Sequence, residues 1–285
     1  MRLIFTNLGE RYELYRLLKN QYLIYIKHGK KLTIIHTYYF SKYPVIASQD
    51  QLVKYHNFLA KQALFKDIEE NDLIDFIQSL HIKQYQKGEI VTFNDQEHAN
   101  LYIVYDGLLK LTKTNEKGDE VVLSIFDKND AVTPMYYSPY YDVCVEFVKD
   151  TTMFYFTETD VKHFIRQNHA FSNNIIKFLA DSVQALMISA EVLQLNTAKE
   201  KVGWYLAHAT INNTFELPYS KVLIASYLGI KPESFSRALA ELKKEGIALK
   251  NKKINLVNGD ELCKYCDRVT GSSCSLFQTE ACAHN

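Results

Sequence analysis

The hydrophobic rhythm of this chain changes several times along its length. Residues 1–50 are rich in Tyr, Ile and Lys and have no clean period. Leu14, Leu17, Leu18 and Tyr22 are spaced to line a short helix, and Leu32–Phe40 predicts a strand from its β-branched and aromatic content. From Gln51 the pattern sharpens. Leu52, Tyr55, Leu59, Leu64 and Phe65 predict helix, and Asn71–Leu80 predicts a second. Short strands follow at Tyr85–Ile90, Leu101–Val104, Leu108–Thr112, Val121–Phe126, Val143–Val148 and Met153–Phe156. Turn residues at Asp106-Gly107, Asn115–Asp119 and Lys128–Asp130 separate them, a spacing that predicts a sandwich or barrel.

The period then lengthens. Ile176, Leu179, Val183, Leu186, Ala190 and Leu193 alternate three and four residues apart, which is a coiled-coil seam. One helix cannot bury such a stripe by itself. A parallel dimer is the expected partner arrangement, and packing on the chain's own β-domain is the rival.

Beyond the seam, Lys199–His208 reads as helix and Leu217-Pro218 breaks it. Ser220 can cap the next helix, and Pro232 suits the first turn of another, where its missing N–H costs nothing. Gly246 ends that helix. Ile247–Leu249 and Lys253–Val257, joined through Asn251-Lys252, predict a β-hairpin wing. Ala225 is small enough for two helices to touch, Gly229 permits a tight turn, and Phe235 points inward, as in a helix-turn-helix. Glu233, Ser236 and Arg237 share the other face of the second helix. Arg grips guanine bidentately, Glu accepts from cytosine, and Ser meets either kind of base. An ordinary surface helix of mixed charge would not explain why turn, packing and reading positions fall in register.

The 285 residues suffice for one or two domains with a real core. There are 33 basic and 33 acidic residues, so no global field draws the chain to nucleic acid. Locally the balance shifts. Between Lys199 and Asp260 ten Lys and Arg face six Asp and Glu, a surplus of four. Lys231, Lys243, Lys252 and Lys253 are the expected phosphate contacts, adding affinity and little specificity. No apolar run reaches the roughly 18 residues of a membrane span, and Met1–Asn20 lacks a signal-peptide core. A cytoplasmic location is expected. A mis-assigned start codon would leave residues 1–50 outside the native protein.

Of five cysteines, Cys144 is central and reads as a small core residue. Cys263, Cys266, Cys274 and Cys282 form a C-x2-C-x7-C-x7-C tail. Such clustering without an export signal points to metal ahead of disulfides. The C-x2-C pair turns two thiolates toward one centre. The other two would complete either a tetrahedral zinc site or the corners of a [4Fe–4S] cluster. His284 and Asp267 are spare ligands, and thiols without metal are the third reading. Enzymatic chemistry is not expected. The strand region has no His-x-His or His-x-Asp pair, and the chain shows no Ser/His/Asp set, P-loop or dinucleotide fingerprint. A plain protein-interaction module is the remaining alternative.

Tyr85-x-Lys87-Gly88-Glu89, Tyr102-x-Val104-x-x-Gly107, Gly118-Asp119-Glu120 and Glu233-Ser234-Phe235-Ser236-Arg237 together resemble the Crp/Fnr family of transcription regulators, over roughly residues 52–260. The resemblance implies an α+β fold: a cyclic-nucleotide-binding-like β-roll (double-stranded β-helix), a long dimerisation helix and a C-terminal winged helix-turn-helix. The expected divisions are 1–50, an N-terminal extension; 51–160, the roll; 161–196, the dimerisation helix region; 197–260, the DNA-binding domain; and 261–285, the cysteine tail.

The Glu-x-x-Ser-Arg helix is similar to that of the Fnr branch. It implies a homodimer on double-stranded DNA with a TTGA-type palindrome: Arg237 on guanine, Glu233 on its pairing partner, Ser236 on thymine. RNA polymerase is a further expected partner. Members that bind cyclic nucleotides hold the phosphate with an Arg and the ribose with a Gly-Glu pair. Here no Arg lies between Arg16 and Arg166, and Asp127–Thr152 contains neither Arg nor Gly. A buried phosphodiester would lack its fixed cation, so no cyclic nucleotide is expected. The N-terminal cysteine cluster of Fnr cannot be built from a chain with no Cys before Cys144. Some Fnr-like regulators carry their cluster after the DNA domain, which makes a [4Fe–4S] tail sensing oxygen or nitric oxide the first expectation and structural zinc the second. Haem is a rival effector, with His81, His98, Met135 and Met153 as candidate ligands.

Overall fold

A computed structural model of the protein describes residues 2–7, 10–18, 21–28, 31–39, 49–92, 99–116, 118–133, 143–211, 216–257, 260–266 and 271. The chain forms two compact units, 1–79 with 168–171 and 80–167 with 172–285. The first opens with an antiparallel meander of β1 (Arg2–Asn7), β2 (Glu10–Leu18), β3 (Gln21–His28) and β4 (Lys31–Tyr39), in that order across the sheet. The strand expected at Leu32–Phe40 is β4. The helix expected from Leu14, Leu17, Leu18 and Tyr22 does not form. Leu14, Leu17 and Leu18 lie on β2 and Tyr22 on β3, with Leu14 opposite Ile24 and Arg16 opposite Tyr22. The surrounding Tyr and Ile content favours extended backbone, and this outweighs the helical spacing of a few leucines. Helices α1 (Gln49–Leu59) and α2 (Glu70–Gln78) follow, but Leu64 and Phe65, expected on the first helix, lie on a separate 3₁₀ turn at Ala63–Phe65. Phe65, Phe76 and Phe171 close this unit's aromatic core, with ring centroids 4.8–5.9 Å apart.

The second unit begins with the roll. Its strands are β5 (His81–Tyr85), β6 (Ile90–Thr92), β7 (Ala99–Asp106), β8 (Leu108–Thr114), β9 (Glu120–Asp127), β10 (Ala131–Val132), β11 (Cys144–Phe147) and β12 (Thr151–Thr157). They form two sheets, β10-β7-β12-β5 and β6-β11-β8-β9. Tyr85, Tyr102, Val104, Leu109, Leu111, Val145, Phe147 and Met153, drawn from both sheets, make one buried core. Tyr85–Ile90 is not a single strand. Gly88, at φ +84°, turns the chain between β5 and β6, and its N–H donates to the Phe147 carbonyl at 2.7 Å. Gly107, at φ +122°, joins β7 to β8, and a Cβ there would lie 2.3 Å from Thr151 Oγ1. Only glycine fits that crossing.

Helix α3 (Glu158–Gln167) leads from the roll into α4 (His169–Gln194), a 26-residue helix. The expected dimerisation region, 161–196, therefore holds two helices. On α4, Ile176, Val183, Leu186 and Leu193 are 56–65% exposed, Ala190 is exposed and Leu179 half-buried. Most of the stripe is thus exposed on the single chain, with Leu179 partly covered. Helix α5 (Ala198–Ile211) starts from a capping box: Thr197 N–H donates to Glu200 Oε2 at 2.9 Å, and Glu200 N–H donates to Thr197 Oγ1 at 3.1 Å. Helices α6 (Lys221–Tyr227) and α7 (Pro232–Lys244) and the hairpin β13 (Ile247–Lys250) and β14 (Lys253–Leu256) complete the winged domain. No helix among the described residues is long and apolar enough to cross a membrane.

Candidate nucleic-acid interface

Helix α6 starts where Ser220 Oγ accepts from Leu223 N–H at 3.2 Å. Leu223, Ile224, Ala225 and Leu228 are buried. Gly229 then takes φ +64°, and the chain turns so that Ile230 N–H reaches the Ala225 carbonyl at 3.0 Å. Pro232 opens α7 as its first helical residue. Phe235, Ala238 and Leu242 are at most 2% exposed and pack with Val202, Leu206, Ile247 and Ile254 in one core. That burial fixes the rotation of α7, and the opposite face presents Glu233, Ser236 and Arg237 to solvent. Among the described residues, Glu233 and Arg237 make no side-chain hydrogen bond or ion pair. Ser236 Oγ donates to the Pro232 carbonyl at 3.0 Å, which leaves its lone pairs for a partner.

The wing turns at Asn251 (φ +48°) and Lys252 (φ +66°), the type I′ geometry of a two-residue hairpin. Lys231, Lys243 and Lys252 are exposed. Lys253 is exposed too, but its Nζ lies 3.4 Å from Glu216 Oε1, so it is shared with a carboxylate. Lys250, cross-strand from Lys253, belongs to the same basic tip. Its place was not read from the sequence, although hairpin register puts it there once the turn is known.

The cysteine tail does not leave the winged domain at once. Leu262 is buried in its core. Cys263–Tyr265 form a 3₁₀ turn, which has about three residues per turn, so Cys263 and Cys266 fall along one edge. Both are half-buried and neither is in a disulfide. Two thiolate donors on one edge suit zinc or an iron–sulfur cluster. Cys274, Cys282, Asp267 and His284 lie outside the described residues. Among the described residues no three His, Cys, Asp or Glu side chains gather as a metal site.

The residues between the two cysteines are engaged. Glu245, at the end of α7, accepts from Lys264 Nζ at 2.7 Å, Tyr265 Oη at 2.6 Å and Lys199 Nζ at 2.9 Å. These three donors push its carboxyl down to about 2. The Tyr265 ring lies over Gly203 of α5, where a Cβ would sit 2.5 Å from the ring. Glu245, Gly203 and Lys199 were not singled out in the sequence, since no local pattern marks a contact so long in range.

Three of the other candidates lie on strands of the roll. Cys144 is half-buried at the start of β11, opposite Thr92 and Thr112. His81 stacks on Tyr155 at 4.7 Å, and burial lowers its pKa. Met153 is 2% exposed within the roll core. His98 and Met135 lie outside the described residues.

Residues 82–168 match the cyclic nucleotide-binding domain, and residues 193–265 match the Crp-like helix-turn-helix domain. The chain belongs to the Crp/Fnr family of transcription regulators. This Crp/Fnr regulator is similar to the transcriptional activator protein FnrL of Cereibacter sphaeroides, at 25% identity over 199 residues, covering 65% of this chain and 79% of the relative. It is also similar to the anaerobic regulatory protein of Bacillus subtilis, at 21% identity over 205 residues, 67% of this chain and 85% of the relative. Among solved structures, FixK2 from Bradyrhizobium japonicum shares the fold with a TM-score of 0.56 at 20% identity, over 66% of this chain and 98% of that one. A CooA mutant from Carboxydothermus hydrogenoformans does so with a TM-score of 0.57 at 19% identity, over 67% and 89%. The regulator is a DNA-binding protein of this type and not an enzyme. Its matched DNA-binding domain runs to residue 265 and so includes the turn that carries Cys263.

Proposed function

We propose that this regulator reads a TTGA-type palindrome as a homodimer, and that its C-terminal cysteines hold a [4Fe–4S] cluster through which oxygen or nitric oxide alters DNA binding. The exposed face of α7 carries the first part. Arg237, Glu233 and Ser236 stand clear of the chain while the far side of their helix is locked in the core. Two such helices, paired through the α4 stripe, would meet successive major grooves. Lys231, Lys243, Lys250 and Lys252 would hold phosphates, and transcription would follow from contact with RNA polymerase in the cytoplasm.

The tail carries the second part. Cys263 and Cys266 already share an edge, and Cys274 and Cys282 supply the remaining thiolates. When bound, the cluster provides iron and sulfide that oxygen or nitric oxide can attack. A relative whose name denotes anaerobic regulation supports this reading. Structural zinc is the second reading, favoured by a turn seated against a folded core.

Anaerobic purification with iron, sulfide and zinc assays, followed by gel shifts on a TTGA palindrome, tests both parts. Brown protein with about four irons per chain is expected. Arg237→Ala should cost about 1–3 kcal/mol of discrimination at the guanine. Colourless protein holding zinc and no iron overturns the sensor. Binding indifferent to the palindrome overturns the reading of α7.

A further inference from the structure

We infer that Glu245 is the positioning residue through which the cysteine tail acts on the DNA-reading helix, by way of the two side chains that separate Cys263 from Cys266. The inference deepens the proposed function and rests on it. Both residues inside the C-x2-C pair end on the same carboxylate: Lys264 Nζ at 2.7 Å and Tyr265 Oη at 2.6 Å. That carboxylate belongs to the residue immediately after α7, whose own N–H still donates to the Leu242 carbonyl, while the next N–H, of Gly246, donates to that of Lys243. Its third donor, Lys199, lies in the first turn of α5 at 2.9 Å. Glu245 therefore ties the tail, the base of α5 and the end of the reading helix into one knot.

The knot is seated and not merely a surface ion pair. Tyr265 occupies space that any side chain at Gly203 would take, with a Cβ there falling 2.5 Å from the ring. Leu262, one residue before Cys263, is 5% exposed in the core that also holds Phe235 and Leu242 of α7. On the other side of Glu245, Gly246 takes φ +91°, and a Cβ on it would meet Glu261 Oε1 at 2.8 Å. A change in the dihedral angles of the Cys263–Cys266 turn thus moves Lys264 and Tyr265 against Glu245. A metal held by Cys263 and Cys266 would impose such a change, because it would fix the two sulfur positions that its loss would release. With Phe235 and Leu242 held in the core, the last turn of α7 and the corner into the wing take up the movement. Lys243, in that last turn, and Lys252, at the wing tip, then shift relative to a groove.

The test compares DNA affinity in two states of the full chain. One state is reconstituted anaerobically with ferrous iron and sulfide, or loaded with Zn2+ if iron is not retained. The other is stripped by chelator under reducing conditions. Wild-type affinities for the TTGA duplex in the two states should differ about tenfold, a typical allosteric coupling. In Glu245→Gln, and separately in the milder Tyr265→Phe, metal content should stay at the wild-type level while the ratio falls to within about twofold of unity. A merely structural role for the knot would weaken binding in both states and keep the ratio, so unchanged ratios in both variants overturn the inference. A wild-type ratio of one, with metal bound, also overturns it. If wild type binds no such duplex in either state, the DNA-reading proposal fails. The knot is then judged by hydrogen exchange at α7, which should quicken on metal removal in wild type and not in Tyr265→Phe; equal exchange in all forms overturns it.

Discussion

Single residues in this protein take their roles from what surrounds them. Asp130 shows this most directly. Burial pushes its carboxyl up to about 6, against a hydrogen bond from Asp127 N–H at 2.7 Å that works the other way. Its ordinary value is 3.8. The folded state therefore holds the proton more tightly than the unfolded chain. This contribution to stability is complete below pH ~4 and is lost as pH rises through about 6. Asp130→Asn keeps the acceptor oxygen and removes the titration. It should raise the unfolding free energy obtained by urea titration at pH 7, by up to about 3 kcal/mol, and leave it nearly unchanged at pH 4. An equal shift at both pH values would refute the assignment. At this scale the sequence was informative wherever function is local. Ala225, Gly229, Pro232 and Phe235 sit where the motif puts them, and Glu233, Ser236 and Arg237 face solvent together. Glu245 escaped notice because its partners lie 46, 19 and 20 positions away.

Among the elements, α4 has the plainest unfinished business. Val183 and Leu186 are 56% and 65% exposed on a helix whose other side chains partly bury. Leaving a full seam in water forfeits roughly 1.5–3 kcal/mol for each large aliphatic side chain. Leu186→Lys should dissociate the proposed dimer. Sedimentation velocity would show a single-chain mass at micromolar concentration, and binding to the palindrome should drop far more than binding to one half-site. A variant still sedimenting as a dimer removes the seam from consideration. The heptad period gave this helix away because the 3.5-residue repeat is a long-range signal. The N-terminal meander was hidden for the opposite reason: a few leucines at helical spacing sit in a stretch whose Tyr and Ile content prefers extended chain. The turn at Gly88 was likewise read as strand, since Tyr85 and Ile90 at the ends of the segment are good strand formers, while the left-handed φ of the glycine between them leaves no mark in the sequence.

Within the second unit, the roll and the winged domain are held together by a small polar and apolar contact. Tyr219 Oη donates to Asp127 Oδ2 at 3.0 Å, and Leu223 of α6 packs with Leu108 and Val122 of the roll. Asp127 raises the Tyr219 phenol well above its usual range, after burial itself. Removing the donor by Tyr219→Phe leaves the carboxylate short of a partner, which costs about 1–3 kcal/mol. Denaturation followed by Trp204 fluorescence should then shift to lower urea, with roll and winged domain melting less cooperatively. A coincident, unshifted transition would show that the contact contributes nothing. None of this docking was legible in the sequence, because it joins residues 92 positions apart with no shared motif.

The socket at Gly203 has a genetic consequence. A reporter screen for mutants that no longer hear the signal should return two classes of codon. One class spells the cysteines themselves. The other maps to positions 203, 245 and 265, where alleles such as Gly203→Ala would leave the metal content of the proposed cysteine site intact yet lock promoter output at a single level.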